Sequence, residues 1–242
     1  MDIKKLQKNW DELGKTDPLW AIRTFPHKKG NRWQIDDFFK TGVEEIKKVM
    51  KYAEGLGINF PRRKALDFGC GIGRLTQPLA NYFDEVYGVD IAPSMIELAN
   101  KYNQHGDKCK YYLNETDDLK VFPDNSFNFI YTNITLQHMA PRYSKNYIKE
   151  FLRVLVPDGL LIFQLPSEPA KILEGLIIRI IPTILLNVYR RVKYGAIPEM
   201  HWMKREDVVK FLEQNGAVIV DIKQDQSACK DWVGFRYCVM KK

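Results

Sequence analysis

Three glycines alternate at Gly69, Gly71 and Gly73 within the stretch K-A-L-D-F-G-C-G-I-G-R-L-T-Q-P-L-A, Lys64 to Ala80. Asp67 stands two residues before the first of them, and a second acid, Asp90, closes the run E-V-Y-G-V-D at 85–90. Glycine admits backbone angles that other residues resist, and it lets a ligand approach the main chain closely. A carboxylate placed like Asp90 can accept two hydrogen bonds from a ribose diol. The residue set therefore reads as a nucleotide site. Two familiar nucleotide ligands fit poorly. A dinucleotide fingerprint would need a third glycine where Arg74 stands, and a phosphate-binding P-loop would need G-K-[ST] after the turn.

The elements that position these residues follow from the pattern of the chain. Ala65 to Phe68 reads as a short buried strand, followed by the glycine turn and a helix starting near Arg74. The free N–H groups of that helix are expected to point back at the turn. Further strands are expected at 85–90, 110–113, 127–133 and 160–165, with 217–223 and 233–240 as an antiparallel pair at one sheet edge. Asp36 or Asp37 is expected to cap a helix reaching about Glu54, with Phe39, Val43, Ile46, Met50 and Ala53 as its apolar face. Other helices are expected after Pro93, from about Arg142 to Leu155, and from Glu206 to Asn215. Strands alternating with helices at this spacing imply an α/β, doubly wound sheet, mostly parallel and seven-stranded. Residues 1–60 form a helical cover, residues 61–242 carry the sheet, and 166–202 is a helical insertion after the fifth strand, acting as a lid. In such sheets the ligand lies beyond the carboxyl ends of the strands.

Composition narrows the partner. The chain has 242 residues and a net charge of +7, with the excess dispersed in pairs such as Lys4-Lys5 and Arg190-Arg191. No compact basic patch with interleaved aromatics stands out, so no sequence-specific nucleic acid is expected. The four cysteines have no metal spacing and fit a reducing, cytoplasmic compartment. Cys70 reads as packing. The few histidines are scattered, so no metal site is expected. The start, Met1 to Gly14, is polar and does not read as a signal peptide. The apolar run Ile172 to Tyr189 is interrupted by Glu174, Arg179 and Pro182 and does not read as a membrane span.

D-F-G-C-G-I-G-R followed by V-Y-G-V-D-I-A-P-S-M resembles the first two motifs of the class I S-adenosylmethionine-dependent methyltransferases. D-D-L-K-V-F-P-D-N-S-F-N-F-I-Y with L-x-H, and then V-L-V-P-D-G-L-L-I-F, resemble the next motifs in order. The resemblance covers about Phe38 to Ser167. It implies S-adenosyl-L-methionine as cofactor, with Asp67, Gly69, Gly71 and Gly73 walling its methionine part and Asp90 holding its ribose. It further implies Ile91 and Met95 against the adenine, and Asn133 at the amino-acid end. The adenine amino group is assigned to an acid after the third strand. Glu115 has the matching spacing, with Asp117 and Asp118 as alternatives, and Thr116 supplies a backbone N–H.

The chemistry so implied is displacement at the methyl of a sulfonium, in which positioning does much of the work and a hydroxyl acceptor also needs a base. His138 is the candidate by placement, either as that base or as a group that positions the substrate. His201 and Trp202 are further candidates for lining the acceptor pocket. The place after the fourth strand reads T-N-I-T rather than an N-P-P-Y-like run, which weighs against nucleobase amino groups. The expected acceptor is a small molecule, methylated at a hydroxyl, with lipid-like or glycan-linked acceptors in view. Residues 172–193, apolar and then basic, are a candidate membrane-surface contact. An RNA or protein methyltransferase and a non-catalytic cofactor-binding relative are the alternatives, and the oligomeric state is open.

Overall fold

The computed structural model describes residues 2–170, 185, 188, 199–228 and 230–241. Seven strands form one sheet: β1 (Lys64–Phe68), β2 (Glu85–Asp90), β3 (Cys109–Leu113), β4 (Phe127–Thr132), β5 (Leu155–Pro169), β6 (Ala217–Asp225) and β7 (Trp232–Lys241). Their order is β3-β2-β1-β4-β5-β7-β6. All neighbours run parallel except β7, which is antiparallel to both β5 and β6. The chain leaves β1 toward β2 on one side and returns to β4 on the other, so the switch point lies at the carboxyl end of β1.

The helices among the described residues are α1 (Ile3–Thr16), α2 (Pro18–Ile22), α3 (Ile35–Gly55), α4 (Thr76–Leu79), α5 (Pro93–Tyr102), α6 (Pro141–Val154) and α7 (Arg205–Gln214). α6 and α7 cover one face of the sheet, where Phe151 and Leu212 join Leu66, Ile130 and Phe163 in one apolar cluster. α3 covers the other, with Ile46, Met50 and Ala53 against Ala65, Phe129 and Ile162. A third cluster joins Leu13, Trp20 and Trp33 of the N-terminal segment to Ile72 and Met95. None of the helices among the described residues is long and apolar enough to cross a membrane.

Three local expectations change. The helix after the glycine turn begins at Thr76, not near Arg74, and is a single turn. β5 is longer than 160–165. It starts at Leu155 and absorbs Pro157-Asp158-Gly159 as a bulge, where pairing passes from Phe127–Leu155 to Phe129–Leu160 and Asp158 takes φ 59°. At its far end Pro169 still pairs with Trp232, so 166–169 belong to the sheet and not to an insertion. The remainder of the helical-insertion and membrane-contact expectation, except for Leu185, Val188 and 199–202, lies outside the described residues.

The buried face of α3 is also shifted. Phe38, Gly42, Ile46, Val49, Met50 and Ala53 are buried, whereas Phe39 is half-buried and Val43 is 49% exposed. Gly42 is the cause. A Cβ on it would lie 2.0 Å from the carbonyl oxygen of Arg74, so the helix rests directly on the glycine turn. In an exposed helix Gly→Ala is stabilising by about 1 kcal/mol. Here the sign reverses: Gly42→Ala is expected to destabilise by about 1–3 kcal/mol through overpacking against backbone, seen as a lowered midpoint in denaturant unfolding.

Candidate active site

The carboxyl ends of β1 and β2 are locked together by the glycine turn. The N–H groups of Gly69 and Cys70 both donate to the Val89 carbonyl, at 2.8 and 3.0 Å. Gly71 N–H donates to Asp90 Oδ2 and Ala92 N–H to Asp90 Oδ1, each at 2.9 Å. Asp90 is thus oriented by backbone on both oxygens before any ligand is considered. Burial raises its pKa, and the N–H groups of Ala92, Gly71 and Ile91 oppose that rise. Gly69 has φ 76°, in the left-handed region, and a Cβ there would strike Thr135 at 2.3 Å. Any side chain at Gly69 would therefore press on the loop that follows β4.

Above this turn lies a cavity of about 960 Å³, part of it open to solvent. Gly69, Gly71, Asp90, Ile91, Met95, Asn133 and His138 all line it. Asp67, Gly73, Glu115 and Thr116 do not. Asp67 is buried beneath the turn, where its Oδ2 accepts from Thr76 Oγ1 at 2.7 Å. Gly73 faces Tyr111, whose hydroxyl oxygen would lie 2.4 Å from an added Cβ. Glu115 points outward and accepts from Gln7 Nε2 of α1 at 2.6 Å. Thr116 gives its carbonyl to Tyr147 Oη. Of Asp117 and Asp118 neither reaches the cavity; Asp118 pairs with Lys120 at 2.7 Å. The polar side chain that does line the cavity after β3 is Asn114, one residue earlier than expected. Its amide donates to the carbonyls of Thr116 and Asp118 and so folds the acidic run back on itself.

A buried polar network forms the wall beside Asn133. Glu45 of α3 takes Arg74 Nη2 at 2.9 Å, Asn133 Nδ2 at 2.7 Å and Tyr131 Oη at 3.1 Å. Burial works against ionisation of Glu45, but Arg74 and the donors from Asn133 and Tyr131 outweigh it, and its pKa is lowered. The network leaves two polar atoms over. Arg74 Nε and Asn133 Oδ1 are buried and have no hydrogen-bond partner. One donor and one acceptor, on two cavity-lining residues joined through Glu45, match the carboxylate and ammonium of an α-amino acid. Arg74 and Glu45 were not singled out by sequence reading. Glu45 lies on a helix outside the motif, and no local signal marks it.

His138 lines the cavity from the loop after β4. Its Nδ1 is 2.8 Å from the Glu199 carbonyl oxygen, which can only accept, so Nδ1 carries the hydrogen. In the neutral ring Nε2 then holds the lone pair, with Gln137 Nε2 at 3.4 Å. Trp10 of α1 meets the ring edge-on, with centroids 5.0 Å apart. His201 and Trp202 do not line the cavity. His201 supports the loop instead, donating its N–H to the Gln137 carbonyl and pairing its ring with Glu199. Trp202 packs on Trp232. Cys70 lines the cavity, but burial pushes its thiol well above the ordinary range, so it is no nucleophile.

Residues 66–163 match the methyltransferase domain family Methyltransf_11. Phosphoethanolamine N-methyltransferase 1 of Zea mays is 33% identical over 139 residues, which are 56% of this chain and 26% of that protein. A sterol 4-C-methyltransferase of Caenorhabditis elegans is 35% identical over 97 residues, 39% of this chain and 28% of that one. The chain therefore spans about a quarter of the length of these curated relatives. The crystal structure of magnesium protoporphyrin IX methyltransferase from Synechocystis PCC 6803 with bound SAH covers 100% of both chains at a TM-score of 0.66 and 17% identity, a likeness of fold. Residues 66–163 thus carry a methyltransferase domain, on the fold of the class I S-adenosylmethionine-dependent methyltransferases. The methyl donor of that class is S-adenosylmethionine.

Asp67 provides a pH test of the turn. Burial raises its carboxyl to about 7, against the lowering effects of Thr76 and Arg74. The folded state then binds a proton that the unfolded state has released, from the ordinary carboxylate pKa up to about 7. Stability from this group is present at low pH and lost as pH rises through that window. Asp67→Asn keeps an acceptor for Thr76 and removes the titration. Between pH 5 and pH 8 the variant is expected to gain about 2–3 kcal/mol relative to wild type, read from unfolding midpoints at the two pH values.

Proposed function

We propose that this chain transfers a methyl group from S-adenosylmethionine to a hydroxyl of a small-molecule acceptor, with His138 as general base. The observation that carries this reading is the His138 tautomer: a carbonyl holds Nδ1–H, which makes Nε2, 3.4 Å from Gln137 Nε2, the proton-accepting nitrogen of a residue that lines the cavity. Asp90 takes the ribose hydroxyls, using the remaining lone pairs of a carboxylate that backbone N–H groups have already aimed. Ile91, Met95 and Asn114 border the adenine. Arg74 Nε–H and Asn133 Oδ1 take the carboxylate and ammonium of the methionine end. Asp67 and Gly73 act beneath the cofactor, by shaping the turn.

The cofactor supplies a methyl on a sulfonium, whose leaving group is a neutral thioether. The chain's own residues do the rest. The glycine turn and Asp90 fix the donor's orientation, and α1 with the loop after β4 closes water out through Leu6, Trp10 and Met139. His138 Nε2 receives the acceptor's hydroxyl proton, and the Glu199 carbonyl keeps the ring oriented as it becomes charged. Residues 1–60 serve as the cover. α1 is held to the sheet domain by Ser94 N–H on Asp11 Oδ1 at 2.9 Å and by Gln7 on Glu115.

Two measurements test this. Asp90→Ala is expected to weaken S-adenosylmethionine binding at least tenfold by calorimetry, since two hydrogen bonds to a charged acceptor are lost; equal affinity in the two proteins would remove the ribose assignment. With an acceptor found by isotope-labelled methyl screening, His138→Ala is expected to lower kcat about 10²–10⁴-fold while cofactor affinity changes little. Full turnover in that variant would strip His138 of its role as base.

A further inference from the structure

The acceptor's own chemistry can be read from the wall opposite the cofactor. α1 presents Ile3, Leu6 and Trp10 to the cavity, at spacings that place them on one helix face. Ile134 and Met139 of the loop after β4 face them across the same space. Leu6 and Met139 are buried, and Trp10 lies edge-on to the base. Beside these apolar residues the polar side chains are His138 and Thr135, and the Thr135 hydroxyl is turned to the Phe68 and Asn133 carbonyls.

Charge is as informative as shape. Arg74 is the lone Lys or Arg lining the cavity among the described residues. Its Nη2 is held by Glu45 and its Nη1 lies 3.4 Å from Thr41, which leaves Nε as the guanidinium nitrogen without a partner, and the cofactor's carboxylate takes that. Asp90 belongs to the ribose. Tyr147 donates its hydroxyl to the Thr116 carbonyl. Among the described residues, a phosphate or carboxylate entering beside His138 would lose its hydration with no lining Lys or Arg left to pair with it, a cost that buried anions do not bear unpaired. An apolar body loses nothing there and gains by leaving water.

We propose that the acceptor is an uncharged molecule with an apolar body, of the class of alkylated or fused-ring phenols and alcohols, seated against Trp10 with its hydroxyl at His138 Nε2. This rests on the reading of the cofactor and His138 ends given above. It sets the chain apart from the Zea mays relative, whose named acceptor carries a phosphate.

The test uses the full chain loaded with S-adenosylhomocysteine and calorimetric titration of defined probes. These are a para-alkylphenol series from methyl to heptyl, para-heptylphenyl phosphate, and phosphoethanolamine. The expected result is affinity rising along the phenol series by about three- to fourfold per buried methylene. The phosphorylated heptyl probe is expected to bind at least a hundredfold more weakly than the phenol, and phosphoethanolamine not at all. Trp10→Ala is expected to weaken heptylphenol at least tenfold, and Trp10→Phe to restore most of it, which keeps the test readable if the alanine variant folds poorly. An affinity flat with chain length, no binding by any phenol, or either phosphorylated probe binding as tightly as the phenol would overturn the proposal. Failure of the protein to take up S-adenosylhomocysteine would overturn the cofactor reading and this proposal with it. Phenol binding with the expected trend but no labelled-methyl transfer would support the acceptor class and count against His138 as base alone.

Discussion

One buried carboxylate holds the site together. Glu45, on α3, receives the guanidinium of Arg74 from the glycine turn, the hydroxyl of Tyr131 from β4 and the amide of Asn133 from the loop after it. Three segments distant in the sequence, α3, the glycine turn and β4 with its following loop, are thereby set at fixed distances. Such an ion pair contributes little net stability, because desolvation offsets most of the attraction. Its effect is geometric. Losing either partner would leave a charge buried and uncompensated, so the network tolerates only arrangements that keep α3, the turn and β4 in register.

The consequence appears in the atoms that Glu45 leaves over. With both carboxylate oxygens used, Asn133 must direct its carbonyl oxygen away from Glu45, and Arg74 must direct Nε–H away as well. Buried polar atoms without partners are costly and rare in native structures. Two of them, of opposite sense, on residues that line one cavity are therefore informative about what fills it. Asp90, in contrast, is already satisfied by Gly71 and Ala92. The site thus combines a preset carboxylate at one end with unmet donors and acceptors at the other.

α1 completes the enclosure from outside the sheet. Its apolar face packs on the cavity, and its polar face reaches Ser94 and Glu115 at the ends of neighbouring elements. Trp10 couples this cover to His138, whose ring is held from the other side by Glu199. His138 is therefore positioned by three parts of the chain: the loop after β4, the cover helix, and the segment that returns to the sheet before α7. A cavity closed in this way can exclude water during transfer, and its chemical character is set by the cover as much as by the sheet.

The sequence by itself determined the strand–turn–helix order, the positive-φ glycine turn, the acid at the end of β2 and the placement of His138 after β4. Each of these is local: alternation, turn residues and strand ends are written in contiguous stretches, and parallel crossover geometry then assembles the strand ends at one edge. Tertiary structure decided the rest. Asn114 and not Glu115 faces the cavity, because the acidic run folds back onto the Asn114 amide and Glu115 is drawn outward to Gln7. Phe38 and Gly42, not Phe39 and Val43, form the inner face of α3, because that helix rests on the Arg74 carbonyl. Asp67 lies under the turn and not in the cavity wall, through its bond to Thr76. β5 extends past its apolar run because β7 pairs it to Pro169. Apart from the bonds of Asn114 and of Asp67 with Thr76, the deciding contacts join residues distant in the chain. Side-chain direction at an irregular strand end has no periodicity to reveal it.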